Sequence, residues 1–410
     1  MVKRRNQSKR VVQSPEARRR SLAGNPSDGV AVDLEPDWIT AVRARLRDWY
    51  AEAGRDLPWR ASRDAYRILV SEMMLVQTTV VAVIPFFERF MTRFPDVAAL
   101  AAADEAEVIK AWEGLGYYRR ARQLHQAAKR IVSEHAGVIP ADSAAVLALP
   151  GVGRYIAGAI LSFAFDQPEP IVEANTQRVL ARLLAVREDL KLASTNERLW
   201  QAAARLVPPE NAGSFNQALM DLGALVCTPR EPGCLVCPVS SLCRARQLGL
   251  QDRLPKKTPK PLPLPVTEAA VVLLRQGRIL ILERAPGGLW ERFWEFPTVH
   301  LEGVNPAGRS TGQALDLSES IRRVTGITAL VSAPKKTIAY SVTKHRVKLF
   351  VHLAQALDGD AIPGPGLTEA RWVEPDELGK YTFSSAGRRL IAWIKACSEL
   401  HMFERLDSDS

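Results

Sequence analysis

No apolar run in this chain reaches the roughly 18 residues that a membrane-crossing helix requires, and no signal-peptide core lies near its start. The expectation is a protein that works away from the membrane. Cysteine is scarce: there are five, whereas a secreted disulfide scaffold would carry more and spread them. Four of them fall between Cys227 and Cys243, which points to a metal centre in a reducing compartment. Acidic residues fall short of basic ones, 45 against 55, leaving a formal charge of +10 and a pI near 9.5. That balance favours a polyanionic partner. Part of the excess lies at the start (Lys3, Arg4, Arg5, Lys9, Arg10, Arg18, Arg19, Arg20). Residues 1–35 show no hydrophobic periodicity and read as a disordered basic arm.

What is present is ordinary globular sequence, 410 residues with 47% apolar content, enough for two or three domains. From 36 to 250 the periodicity is almost wholly helical, with runs such as Trp38–Ala53, Tyr66–Phe94, Asp104–Leu115, Arg119–His135 and Arg154–Phe165. This part is expected to be an all-α domain. Residues 251–265 hold five prolines and several lysines and read as a semi-rigid linker. From 266 to 400 the period shortens to two. Strands are expected at Glu268–Leu274, Arg278–Glu283, Lys336–Val342, Val347–Ala354 and Ala370–Val373. Helices are expected at Leu317–Thr325, capped by Gly326, and at Ser384–Ala396. That is an α+β domain, followed by a frayed tail over 401–410.

Three constellations carry chemistry. Pro150-Gly151-Val152-Gly153 precedes the helix starting near Arg154, so unpaired amides and the positive helix end face outward together, a cradle for phosphate. The four cysteines are spaced Cys227-x6-Cys234-x2-Cys237-x5-Cys243. Four soft thiolates suit tetrahedral zinc or a [4Fe–4S] cluster; a single C-x2-C knuckle favours the cluster. Glu72 stands in an apolar helical run, and Glu173 opens the run Glu173-Ala174-Asn175-Thr176. Burial would keep Glu72 protonated, as a general acid must be; a helix-face Glu in a local salt bridge is the plain alternative.

The hairpin, the downstream carboxylate and the four cysteines together resemble the helix-hairpin-helix DNA glycosylase superfamily, in its endonuclease III-like branch. Leu57-Pro58-Trp59-Arg60, Ser71-Glu72-Met73-Met74-Leu75, Gly114-Leu115-Gly116-Tyr117-Tyr118 and Phe215-Asn216-Gln217-Ala218 resemble the adenine DNA glycosylases of the MutY type. The resemblance implies an all-α glycosylase domain with an iron–sulfur cluster loop at 227–243, followed by a Nudix-like, or MutT-like, domain. It implies excision of adenine mispaired with 8-oxoguanine or guanine in double-stranded DNA, with the target base flipped out of the stack. Glu72 would protonate the leaving base and Glu173 would stabilise the sugar cation. Glu173 departs from the Asp usual in the family, adding one methylene of about 1.5 Å, and a displacement of about 1 Å can cost a hundredfold in rate. A lesion-binding relative with weakened catalysis or altered base preference is the alternative.

Tyr155 stands where bifunctional relatives carry a Schiff-base lysine, which implies base release without strong strand cleavage. Gln77 and Tyr117 match positions that wedge into the duplex. Trp59, Arg60, Asn175 and Gln217 match positions around the base pocket. Gly151 and Gly153 would hold the DNA backbone, aided by a monovalent cation. Arg119, Arg120 and Arg122 are candidate phosphate contacts, or a solvated helix face. His345, in Val342-Thr343-Lys344-His345, matches the loop that reads 8-oxoguanine, although Lys344 takes the place of the family's serine. The helix at Glu319 lacks the paired glutamates of Nudix hydrolases, so magnesium-dependent hydrolysis is not expected there. A monomer is expected, with repair or clamp proteins as candidate partners on the linker. The location would be the cytoplasm or nucleoid in a prokaryote and the nucleus or mitochondrion in a eukaryote.

Overall fold

The structure, a computed structural model, describes residues 34–256, 261–301 and 316–396. The basic arm up to residue 33, positions 257–260 of the linker, Cys397 and the tail lie outside the described residues. Packing divides the described residues into two compact units. One takes those up to Glu72 together with Ile139 to the linker; the other takes Met73–Val138 together with those beyond the linker.

In the first unit the helices Pro36–Ala53, Ala174–Leu183, Ala193–Leu206 and Ala212–Asp221 close around Val42, Leu46, Leu180, Leu199, Leu206 and Leu219. Pro36 opens the first of these, where a missing N–H costs nothing. The helix Arg154–Phe165 buries an unbroken run from Ile156 to Ser162, as an element apolar on all sides must. It is joined to Ser143–Ala148 by the turn 149–153, so the expected helix-hairpin-helix is present. Gly151 has φ +78°, a left-handed turn that an L side chain would strain, and Gly153 sits at the helix N-cap.

The boundary between the units falls inside the helix Ala65–Leu75. Here the expected single run Tyr66–Phe94 is corrected: the chain breaks after Leu75 and resumes as Val80–Arg93. The break contains neither Gly nor Pro. Its cause is tertiary. The buried Arg120 guanidinium donates to the carbonyls of Met73 (2.9 Å), Met74 (3.0 Å) and Val76, taking the orphan acceptors of the helix end. The expected run Asp104–Leu115 is likewise shorter, Glu105–Ala111, before the turns at Gly114 and Gly116.

The rest of the second unit is a mixed sheet of eight strands: β1 Leu264–Arg275, β2 Arg278–Arg284, β3 Trp294–Glu295, β4 Thr298–His300, β5 Thr328–Val331, β6 Lys336–Val342, β7 His345–Asp358 and β8 Leu367–Val373. The central order is β3-β2-β1-β7-β5, with β1 and β7 parallel in the register Leu264↔His345. Strand β1 thus begins inside the stretch read as linker, and β3, β4 and β5 are additional to the expected set. Alternation sends Val272, Leu274, Ile279 and Ile281 toward Leu390 and Ile394 of the last helix. It sends Val271, Leu273, Leu280 and Leu282 toward Ile321 on the opposite face. Helix Leu317–Thr325 ends at Gly326, whose φ of +75° makes the expected cap. Within this unit the helical lobe docks on the sheet domain through the Arg122–Glu291 ion pair, a bond from Phe383 N to Glu113, and the edge-on Tyr118–Phe293 contact.

Candidate active site

Glu72 is buried to 2% exposure in the helix Ala65–Leu75. Tyr155, on the first turn of the helix after the hairpin, donates its hydroxyl to Glu72 Oε2 at 2.5 Å. Burial pushes the Glu72 carboxyl up to about 7 and the nearby Glu173 charge adds to the rise, while the Tyr155 hydrogen bond and Arg60 pull against it. A carboxyl at that value is protonated in about half the molecules at neutral pH, a suitable poise for a general acid. Tyr155 itself is held well above its ordinary range by burial and by the two carboxyls, so it stays a neutral donor.

Trp59 and Arg60 lie on the short 3₁₀ turn Pro58–Arg60, and Trp59 is buried. Arg60 donates from both terminal nitrogens to Asp221, at 2.8 and 3.0 Å. Asp221 is fully buried and also accepts from the Arg55 side chain and backbone N–H. Burial alone would raise its carboxyl, but the Arg60 and Arg55 hydrogen bonds outweigh that and hold it below the usual range. Tyr50 links this group to Gln217, donating to Gln217 Oε1 at 2.6 Å. Tyr50, Arg55 and Asp221 were not anticipated from the sequence. Asp221 carried a signal, a lone acid in the apolar run Ala218–Val226; Tyr50 carried none.

Glu173 is the N-cap of Ala174–Leu183. Its two oxygens accept from the backbone N–H groups of Asn175 (2.8 Å) and Thr176 (2.9 Å), and Thr176 closes a capping box. Burial prevails and holds this carboxyl above its ordinary range, although those N–H groups favour its ionised form. So Glu72 is built to hold a proton, whereas Glu173 carries bonds that reward giving one up. Asn175 turns its side-chain oxygen to Arg178, which also donates to the carbonyls of Gly223 and Cys227. Gly223 is required by that approach: a Cβ there would stand 2.7 Å from the Asn175 side chain.

Cys227, Cys234, Cys237 and Cys243 are free thiols lining one cavity with Arg182 and Arg246. Arg182 donates to Cys227 Sγ at 3.2 Å. Burial first, and then the neighbouring sulfurs, push the Cys237 thiol up to about 11. Among the described residues, no three metal-ligating side chains close around a single ion.

The structure therefore brings Trp59, Arg60, Glu72, Tyr155, Glu173, Asn175, Gln217, the hairpin glycines and the four cysteines into one unit. Gly151 and Gly153 are both exposed. Gln77, Tyr117 and His345 belong to the other unit. Gln77 and Tyr117 are both exposed and both left-handed, with φ of +61° and +49°. Arg120 bridges their two turns, reaching Thr78 Oγ1 as well as the Gly116 carbonyl. As phosphate contacts, Arg120 and Arg122 are corrected: Arg120 is buried on carbonyls, and Arg122 is engaged by Glu105 and Glu291. Arg119 alone of the three is exposed. His345 pairs with Val342 across the two-residue turn Thr343-Lys344, at the rim of a cleft lined by Trp290, Tyr340 and Arg284. On the helix Leu317–Thr325 the one acid, Glu319, is spent on Arg322 and Arg323.

Comparison with known proteins accords with this geometry. Residues 70–206 match the family model of the HhH-GPD superfamily base excision DNA repair proteins, and 269–393 match the NUDIX domain. The adenine DNA glycosylase of Rattus norvegicus is 35% identical over 86% of this chain and 78% of its own length. That of Mycolicibacterium smegmatis is 46% identical over 50% of this chain and 69% of its own. The Mus musculus enzyme is 38% identical over 64% of this chain and 61% of its own. With a buried carboxyl behind a helix-hairpin-helix and a sheet domain of the NUDIX family after it, this chain belongs to the adenine DNA glycosylases.

Proposed function

We infer that this chain is a monofunctional glycosylase that hydrolyses the N-glycosidic bond of adenine paired with 8-oxoguanine or guanine in double-stranded DNA. The observation that carries the reading is Glu72, a buried carboxyl bonded by Tyr155 and raised to about 7, with the N–H-bonded carboxyl of Glu173 near enough to add to the rise. Such a pair suits proton donation to a leaving base on one side and charge stabilisation of an oxocarbenium-like sugar on the other. Trp59, Arg60, Asn175 and Gln217 surround the flipped adenine in this reading. Tyr155 cannot form an imine, so the product is an abasic site in an intact strand. Gln77 and Tyr117 fill the space the base vacates, and the exposed amides of Gly151 and Gly153, with a monovalent cation, grip the backbone. The Val342–His345 turn contacts 8-oxoguanine.

The four cysteines fit a [4Fe–4S] cluster: they line one cavity and offer the four soft thiolates such a cluster takes. When bound it would cross-link residues 227–243 into one loop. The test is single-turnover release of adenine from 8-oxoguanine:A, G:A and T:A duplexes. A protein that binds the lesion duplex tightly and releases no adenine would sink the enzyme reading.

A lesion-binding protein with weakened catalysis is favoured by one observation, the commitment of both Glu173 oxygens to the helix cap. Under that reading Glu173→Asp should speed excision at least tenfold. An unchanged or slower rate removes it.

A further inference from the structure

We propose that Asp221 and Tyr50 are positioning residues for base recognition: through Arg60 they fix which end of the Gln217 carboxamide can turn over. The inference rests on Gln217 reading the base, as set out above. An amide's oxygen and nitrogen are alike in shape, so packing alone does not choose between its two orientations. Here hydrogen-bond polarity makes the choice. A guanidinium has only donors, and Arg60 places one of them 3.5 Å from the Tyr50 hydroxyl oxygen. Asp221 holds Arg60 in that position through both terminal nitrogens, one of them the Nη1 that faces Tyr50, and is itself held by Arg55. Facing a donor, Tyr50 must send its single proton the other way, to Gln217 Oε1 at 2.6 Å. The Gln217 oxygen is therefore fixed on the tyrosine side, one of its lone pairs still free. Its NH2 group points elsewhere.

A glutamine held this way presents an acceptor beside a donor. This is the pairing that reads the Watson–Crick edge of a flipped adenine, whose 6-amino group donates and whose N1 accepts. On that edge a purine with oxygen at position 6 shows the reverse, O6 accepting and N1–H donating. To satisfy it the amide would have to rotate, breaking the Tyr50 bond and setting an NH2 against Arg60's side of the relay. Rotation thus costs a hydrogen bond that the unanchored amide would not have to give up. The relay adds discrimination against 6-oxopurines without touching the base.

The experiment compares adenine with hypoxanthine opposite 8-oxoguanine in otherwise identical duplexes, under single-turnover conditions, using full-length protein. Tyr50→Phe removes one oxygen from the relay and should lower the adenine-to-hypoxanthine rate ratio roughly tenfold. Asp221→Asn should lower it by a similar factor. The double variant should fall no further than the stronger single one, since both act through one amide. Should Asp221→Asn fold poorly, Tyr50→Phe decides alone. A general loss of rate with the ratio unchanged would show only a structural role and overturn the relay. A wild type that releases no adenine would overturn the enzyme reading, and the relay with it; release with an unmoved ratio in Tyr50→Phe overturns the relay alone.

Discussion

Arg60 and Arg120 are both buried cations, one beside the candidate acid Glu72 and the other between the Gln77 and Tyr117 turns, yet only Arg60 meets a carboxylate. Burial works against the charge of each. Asp221 more than offsets this for Arg60, whose guanidinium ends up above its ordinary range. Arg120 has carbonyls, one hydroxyl and the rings of Trp112 and Tyr117 but no carboxylate, so burial prevails and lowers it to about 10. It remains charged at neutral pH in both places, but for different ends. Around Glu72 an uncompensated cation would pull the proton off the acid, so neutralising Arg60 protects the chemistry. Between the two exposed turns Arg120 meets no carboxyl. There a bare cation serves as a geometric clip, aided by the negative end of the helix Ala65–Leu75.

If that division holds, removing the acid itself should produce the largest loss. Glu72→Gln is expected to slow adenine release about 10²- to 10⁴-fold in single-turnover assays while leaving lesion-duplex binding, read by band shift, nearly intact. Next comes the clip. Arg120→Met should lower stability by about 3 kcal/mol, seen in denaturant melts, because several carbonyls lose their donor at once. Arg120→Lys should recover less than half, since a point charge cannot fork to both turns. If Lys recovered everything, charge rather than geometry would be the role of Arg120, and the contrast with Arg60 would collapse.

The third test is pH. Glu72 has a folded value of about 7 against an ordinary 4.5. As an acid it is competent below that value, so the single-turnover rate should be flat at low pH and fall up to about tenfold per unit above pH 7. The stability sign agrees. A raised carboxyl contributes stability that is fully present below about pH 4.5 and lost as pH rises through 7. Glu72→Gln should abolish that slope in melts taken across the same range. The smallest effect is expected at the hairpin. Gly151→Ala, at φ +78°, should cost about 1 kcal/mol and, if its amide grips backbone rather than base as proposed, weaken matched and mispaired duplexes alike.

Much of this was legible in the chain. Lys336–Val342 and Leu317–Thr325 with Gly326 fall where the period and the cap placed them. So does the hairpin, because glycine before an apolar helix is a local signal. The break after Leu75 was not legible. No residue from Val76 to Thr79 announces a turn; the guanidinium that makes it lies on another helix, at Arg120. The same holds within the candidate site. Glu72 declared itself as an acid in apolar company. Tyr50 and Arg55 act only through side chains far along the chain, and nothing in their neighbours hints at it. Glu173 both caps its helix and lies near enough to Glu72 to raise it.

Gln77 and Tyr117 have a bearing on how this protein could be engineered. Each holds a left-handed backbone that glycine would adopt without strain, at a gain of up to about 1 kcal/mol. A selection for heat resistance alone would therefore favour Gln77→Gly and Tyr117→Gly among its early hits. Those variants would melt later and lack the side chains proposed above to enter the duplex. Thermal shift is thus a misleading guide at these two positions, and any stabilised version should be chosen on lesion duplexes from the first round.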